Sequence, residues 1–476
     1  MDYSNRIICG PMVRISSLPF RLLTLEYGAD VVFSEELIDY RLTQCVRVEN
    51  GIFKTNHTHE LFDYLSFPLD LFGTVDFVVP GEDRAMLQIH KTREKNHLVI
   101  QLGTSDGQRA LKAAQLVEKD VAGIDINMGC PKKFSLQGGM GSALLDHPDK
   151  VKQILETLVN NLSIPVSCKI RCLPTIEATL SLVRVIATTG VHAITVHGRT
   201  RDERNNNPCR EEFIQAIVQE HLPNIVIISN GGSTVIPSYE DIEKFRLRCG
   251  PSHGVMLCQA AMWNPSIFRR EGLLPIRDVA KRFLEISLEF DNLLPNMKYV
   301  LQRMFGVADN EIEFYEKILA TETEAELYDL FGMRNDYEQQ SDEKRQMWRE
   351  KLRNRLMNIS DKPSESDIIE KSAKFVRSEY TSMMTPKSIL NAYCIQAHVD
   401  RPVYHTEELK PQRIFRTVID FNGQRYSTTS WEKNKQLAEQ GSAIVCLQSI
   451  GIDPSRAKYG VNYIKACLSN ENKLKS

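Results

Sequence analysis

The chain has 476 residues, 42% hydrophobic and 25% charged, which at roughly 150 residues per domain describes a globular chain of about three domains. Its longest apolar runs (122–126, 225–228) are strand-sized and its first fourteen residues lack a basic stretch followed by a long apolar one, so neither a membrane span nor a secretory signal is expected. The net charge of −2 conceals an asymmetry: from residue 371 onward sixteen Lys and Arg stand against nine Asp and Glu, a net of +7, which leaves −9 on the rest and predicts that the basic part touches a polyanion.

From residue 6 to 268, short β-branched runs alternate with amphipathic stretches. Strands are predicted at 7–12, 31–33, 98–102, 123–127, 165–170, 193–197, 225–230 and 254–257, and helices at 107–119, 149–160, 176–189 and 211–220. Eight strands, most followed by a helix, predict a closed parallel TIM (β/α)8 barrel over residues 1–272. An open doubly wound sheet would need a glycine-rich turn after its first strand, and Gly10–Pro11–Met12 does not supply one. In such a barrel the chemistry gathers where strands end, and Met12, Gln101, Asn127, Lys169, His197 and Asn230 all stand there.

Residues 273–358 read as an α-helical domain, with helices at 276–290 and 297–307 and a last one over 336–358 that keeps Trp348, Leu352 and Leu356 on one face. The polar, proline-containing stretch within 359–370 reads as a linker. Residues 371–470 then give a helix at 385–397, strands at 403–407, 414–421 and 424–429, and a helix at 432–449, with Asn422–Gly423 as a hairpin turn. The order αβββα is the double-stranded-RNA-binding topology.

The densest chemistry is DINMGCP at 125–131, followed by GGMG at 138–141. Glycines let backbone approach a flat ligand closely, and the Asn127 amide can pair with a heteroaromatic edge. Cys130, on a loop tip, reads as a proton donor or a nucleophile. Eleven cysteines, scattered singly, imply a reducing compartment, taken as the cytoplasm, and no metal site is expected.

Pro11–Met12, QLG at 101–103 with Ser105–Asp106, DINMGCP, CKIR at 168–171, VHGRTR at 196–201 and SNGG at 229–232 stand in the order found in tRNA-dihydrouridine synthases, and the chain resembles that family through the barrel and into the helical domain. EELID at 35–39, AAMWNPSIF at 260–268 and the C-terminal module resemble the eukaryotic type 2 enzymes, which act at position 20 of the D-loop. The resemblance implies a monomeric, FMN- and NADPH-dependent oxidoreductase that reduces the C5–C6 double bond of a tRNA uridine, with no membrane and no metal involved. Pro11 and Met12 would lie against the isoalloxazine, Gln101 and Lys169 would bond its polar edge, and His197 would contact the ring or ribityl chain. Asn230, Gly231 and Gly232 would receive the phosphate, with Cys258 and Gln259 beside them. Asn127 would position the uracil, Arg199 would meet the tRNA, and Cys130 would give a proton to C5, a step open to an unperturbed thiol because its pKa of about 8.5 keeps it protonated at neutral pH.

The resemblance also places RNA contacts on Thr385 and Lys387, on Lys433 and Lys435, and on Lys371, Lys374 and Arg377, which stand at helix-like spacing before the first helix of the module. Two departures are visible. Gln259 stands where the family usually has an arginine for the flavin phosphate, and residues 51–72, with Phe53, Phe62, Tyr64, Phe67 and Phe72, read as an insertion that either lies over the tRNA or packs its own aromatics. Two rival readings remain: a flavin barrel reducing a free pyrimidine, which needs no RNA module, and a catalytically idle RNA-binding protein, which does not need Cys130, Lys169 and His197 together.

Overall fold

The computed structural model describes residues 2–49, 73–79, 85–204, 206–307, 311–341, 368–380, 384–397, 399–410 and 413–454. Among the described residues the strands are β1 Arg6–Cys9, β2 Val31–Ile38, β3 Val46–Glu49, β4 Thr74–Val78, β5 Ala85–His90, β6 Leu98–Gly103, β7 Gly123–Met128, β8 Val166–Arg171, β9 Ala193–His197, β10 Val226–Asn230, β11 Gly254–Leu257, β12 Ile368–Lys371, β13 Val403–Leu409, β14 Ile414–Phe421 and β15 Gln424–Thr428.

The expected barrel closes in the order β1-β11-β10-β9-β8-β7-β6-β2, with every pair parallel. Strands covered on both faces read as continuous apolar runs, and β6 and β7 are buried at every residue. Helices Gly107–Val117, Pro148–Val159, Ile176–Ala187, Glu211–Gln219 and Tyr239–Arg248 follow their strands.

Two features of this half differ from the sequence reading. Strand β2 runs on to Ile38, with a register shift against β6 between Phe33 and Glu36, where the polar run Ser34–Glu36 reads as loop. Such a shift re-aims side chains next to a site. In addition, β3, β4 and β5 form a small antiparallel sheet that the sequence does not announce. The 51–72 segment lies outside the described residues.

Helices Ile276–Glu289, Leu294–Phe305, Ile312–Ala320 and Glu324–Leu330, with residues 334–341, belong to the same compact unit as the barrel. Asn296 Nδ2 donates to the Arg14 carbonyl at 2.7 Å, which pins the loop after β1. Most of the helix expected at 336–358, including Trp348, Leu352 and Leu356, lies outside the described residues.

Residues from 368 onward belong to a second unit. Its sheet has the order β12-β15-β14-β13, covered by helices Pro386–Ala397 and Lys435–Ser449. Its core joins Ile389 and Leu390 to Ile419, Phe421, Val445 and Leu447. Asn422 and Gly423 both take positive φ (49° and 76°), the type I′ geometry that Asn-Gly predicts. Strand β12 corrects the reading of the preceding segment, because Ile368–Lys371 pairs in parallel with Arg425–Thr428. The sheet therefore includes residues 368–370, which the sequence assigns to the linker. Lys371 lies in this strand and Arg377 in a short 3-10 turn, so Lys371, Lys374 and Arg377 do not share a helix. Among the described residues no helix is long and apolar enough to cross a membrane.

Candidate active site

Strand alternation brings residues two apart to one face, and parallel pairing aligns them across strands. Register sets Gln101 beside Asp125, and Asn127 beside Lys169. The C-terminal strand ends thus surround a cleft of about 190 Å³ lined by Pro11, Gln101, Asn127, Cys130, Lys169, His197, Arg199, Asn230, Gly231, Cys258 and Gln259, together with Gly129, Pro131, Arg171 and Ser233. Met12 and Gly232 are not among the lining residues. Met12 is tied into the turn after β1 through Ser16, and a Cβ at Gly232 would meet the Phe245 ring at 2.4 Å. A larger groove of about 880 Å³ opens beside Asn5, Arg6 and Ile7, where β1 begins, away from the end that carries chemistry in such barrels.

Cys130 sits on a turn built by its neighbours. Asn127 Oδ1 accepts the backbone N–H of Gly129 at 2.9 Å and of Cys130 at 3.0 Å. Arg171 Nε donates to the Gly129 carbonyl at 2.8 Å. The Cys130 carbonyl accepts from Ser142 N–H at 3.0 Å, and Gly141, at φ 59°, stands so close that a Cβ would lie 2.6 Å from that carbonyl, which explains the GGMG glycine. Burial first, and then the nearby Glu36 carboxylate, push the Cys130 thiol up. A thiol with a raised pKa stays protonated at neutral pH, which favours the proton-donor reading over the nucleophile.

The neighbouring strand β8 brings cations beside this turn. Lys169 is drawn down, mostly by burial, and its Nζ has no acceptor among the described residues. Burial, with Lys169, Arg171 and Arg199 nearby, drives His197 well below its usual range, so the imidazole is neutral. His197 Nδ1 and Asn230 Oδ1 are buried and unpartnered among the described residues. Gly231 takes φ 110°, and a Cβ there would lie 3.3 Å from Arg199 Nη1. Open polar atoms, a bare glycine turn and three cations fit a flat heterocycle with a polar edge and an anionic tail, as FMN has.

Several expected contacts are already committed inside the protein. Asn127 spends its oxygen on the cysteine turn and its Nδ2 on Gln101 Oε1 at 3.2 Å. Gln101 Nε2 donates to Asp125 at 2.8 Å. Arg199 is buried and donates to the carbonyls of Gly231 and Asn207. Sequence reasoning missed Glu36, Arg171 and Asp125. The signal for Arg171 was its place two residues after Lys169 on the same face of β8; nothing pointed to Glu36, because β2 was read as ending at Phe33.

In the second unit Lys371, Lys374, Arg377, Lys433 and Lys435 are exposed. Lys374 and Lys433 both act on Glu432. Lys387 instead pairs with Glu439 at 2.5 Å and lies 4.3 Å from the Tyr404 ring centroid, while Thr385 Oγ1 accepts from Gln440 at 3.3 Å. Those two residues knit the unit's helices together.

A parallel (β/α)8 barrel with a cysteine turn facing a cationic cleft, joined in one chain to an αβββα unit, defines a two-module barrel protein of the RNA-associated kind. The chain belongs to the dihydrouridine synthase (Dus) family, whose model matches residues 7–355, and the double-stranded RNA binding motif matches residues 386–450. It is 40% identical over 313 residues to a fission yeast tRNA-dihydrouridine(20) synthase [NAD(P)+], a match over 64% of this chain and 60% of that relative. It is 34% identical over 320 residues to the budding yeast protein of the same name, over 64% and 78% respectively. A solved dsRBD of human tRNA-dihydrouridine(20) synthase matches at 38% identity, covering 18% of this chain and 95% of that one, with a TM-score of 0.18.

Proposed function

We propose that this protein is a flavin-dependent tRNA-dihydrouridine synthase that uses FMN and NADPH to reduce the C5–C6 double bond of a uridine, at position 20 of the tRNA D-loop. The observation that carries the reading is the Cys130 thiol, kept protonated on an Asn127-braced turn in a cleft that Lys169, Arg171 and Arg199 also line. FMN, when bound and reduced, would be the source of hydride for the uracil ring. Cys130 supplies the proton to C5 from its fixed turn. Lys169 and His197 would hold the flavin ring from its polar edge, with His197 neutral and able to pair through Nδ1. The Gly231 turn, backed by Arg199, would take the phosphate, while the open Asn230 Oδ1 could accept only from a donor such as a ribityl hydroxyl. Asn127 acts here through the cysteine turn, and the exposed lysines of the second unit would meet tRNA phosphates.

The test is direct. Purified protein should be yellow and release FMN on denaturation, and with NADPH it should form dihydrouridine in a tRNA carrying uridine at position 20, measured by nucleoside mass spectrometry. A colourless protein that cannot be loaded with FMN, or loaded protein that leaves the tRNA unchanged, would overturn the reading.

A further inference from the structure

Cys130 stands at the end of a hydrogen-bond chain whose direction follows from its last link. Backbone N–H groups can only donate, so Asn127 must turn its oxygen to Gly129 and Cys130, at 2.9 and 3.0 Å. Its other end is then a donor, aimed at Gln101 at 3.2 Å. Gln101 must therefore offer Oε1, which leaves its Nε2 facing Asp125 Oδ2 at 2.8 Å. Asp125 Oδ1 accepts from Ser167 Oγ at 2.8 Å. Asp125, Gln101 and Asn127 are all buried, so a partner lost there costs the desolvation of the group left behind.

A carboxylate satisfies this chain, because both of its oxygens accept. A carboxylic acid with its proton on Oδ2 would set a donor against the Gln101 N–H. We infer that Asp125 is a positioning residue for the reaction proposed above: its carboxylate accepts the last donor of the chain and so braces Gln101 and Asn127 behind the turn that carries Cys130. The inference rests on that reading for its catalytic meaning, though not for its geometry.

The chain is also titratable. Asp125 points into the barrel among Ser167, Cys168 and Lys169 of β8, Gln101 of β6 and Tyr3, which precedes β1. Burial pushes its carboxyl up to about 6, against the opposing pull of Gln101, Ser167 and Lys169. The carboxylate, which accepts from Gln101 and Ser167 at once, is present above that pH and lost below it.

The experiment compares FMN-loaded wild type, Asp125→Ala and Asp125→Asn across pH 5 to 9, reading kcat, KM for tRNA and the rate at which iodoacetamide alkylates Cys130, followed on its tryptic peptide. Asp125→Ala should lower kcat on the order of a hundredfold, the cost of misplacing a reacting group by about 1 Å, with KM for tRNA unchanged. Its Cys130 alkylation rate should shift from the wild-type value. Asn can still accept from Gln101 and donate to Ser167 but cannot titrate. Asp125→Asn should therefore keep more activity than the alanine variant and lose the fall in kcat that wild type shows near pH 6. Wild-type kcat in Asp125→Ala, or the same acid limb in Asp125→Asn, would overturn the inference. Should the alanine variant fail to fold, the asparagine pH profile decides. If wild type makes no dihydrouridine, the functional reading fails by itself, and the alkylation profiles still test the chain: a step near pH 6 in wild type that is absent from Asp125→Asn supports it, and identical profiles refute it.

Discussion

Asn127 holds Cys130 from behind, its Oδ1 accepting the cysteine's backbone N–H at 3.0 Å while its Nδ2 is tied to Gln101. The thiol is therefore presented by a fixed turn and not by a free loop, and its raised pKa keeps the proton on sulfur. Cys130→Ala removes the acid but none of the groups expected to hold flavin. It should retain FMN at wild-type stoichiometry and lose dihydrouridine formation by at least the 10²–10⁴-fold typical of general acid catalysis. Paired measurements of flavin absorbance and nucleoside composition check both halves, and a variant that modifies tRNA at the wild-type rate would remove Cys130 from the mechanism.

Lys169 and Gln259 line the same cleft, one a cation and the other a neutral amide. A hydrogen bond to a charged group contributes about 1.5–3 kcal/mol, so Lys169→Ala should weaken FMN binding by roughly ten- to a hundredfold. Gln259→Arg should tighten it and make it more salt-sensitive, since an arginine can grip a phosphate with two parallel bonds. Fluorescence titration of FMN into the apo-protein measures both. Unchanged affinity in the two variants together would mean that the phosphate is held elsewhere.

Asp76, on β4 of the small sheet, is buried, and burial pushes its carboxyl up to about 7. Its Oδ1 has no partner among the described residues. Because the folded protein binds this proton more tightly than the unfolded chain, stability contributed by Asp76 is full below about pH 4 and is lost as pH rises toward 7. Each tenfold difference in proton affinity is worth about 1.4 kcal/mol. Asp76→Asn should therefore raise Tm by several degrees at pH 8 and change it little at pH 4. A thermal-melt series across that range checks the trend, and a gain that is equal at both pH values would assign the effect to packing instead of charge.

Most of the barrel was legible because strands buried on both faces leave unbroken apolar runs between glycine and polar stops. The DINMGCP string marks Asn127 as a strand end and Cys130 as standing on the glycine turn that follows. What the sequence concealed depended on partners distant in the chain. Strand β2 continues through Ser34–Glu36 only because β6 pairs with it past a register shift. Strand β12 exists only because β15 offers an edge 57 residues later, Ile368 against Arg425. Lys387 reads as a free cation until Glu439 is seen 2.5 Å away, and Asn127 reads as a ligand contact until the backbone N–H groups of its own turn claim its oxygen.

The second unit should supply most of the affinity for tRNA. Residues from 371 onward carry +7 and the rest of the chain −9, and long-range attraction for a polyanion follows net charge. Lys387 and Thr385 are occupied inside the unit, so of the residues expected to meet RNA it is Lys433 and Lys435 at the start of the last helix, with Lys371, Lys374 and Arg377, that stand exposed. A chain ending at residue 348 should stay yellow, be reduced by NADPH, and bind tRNA far more weakly than the full chain. Because phosphate contacts release counterions, affinity falls with salt at about one unit of logarithmic slope per contact. Lys433→Ala with Lys435→Ala should therefore flatten the salt dependence by up to about two units, whereas Lys387→Ala, which breaks an internal pair, should lower the unit's Tm and flatten the slope less. Filter binding of the same tRNA across a salt series compares all four proteins. Equal affinities and equal slopes for the full and shortened chains would mean that the first unit grips tRNA by itself, and the basic surface of the second would then need another partner.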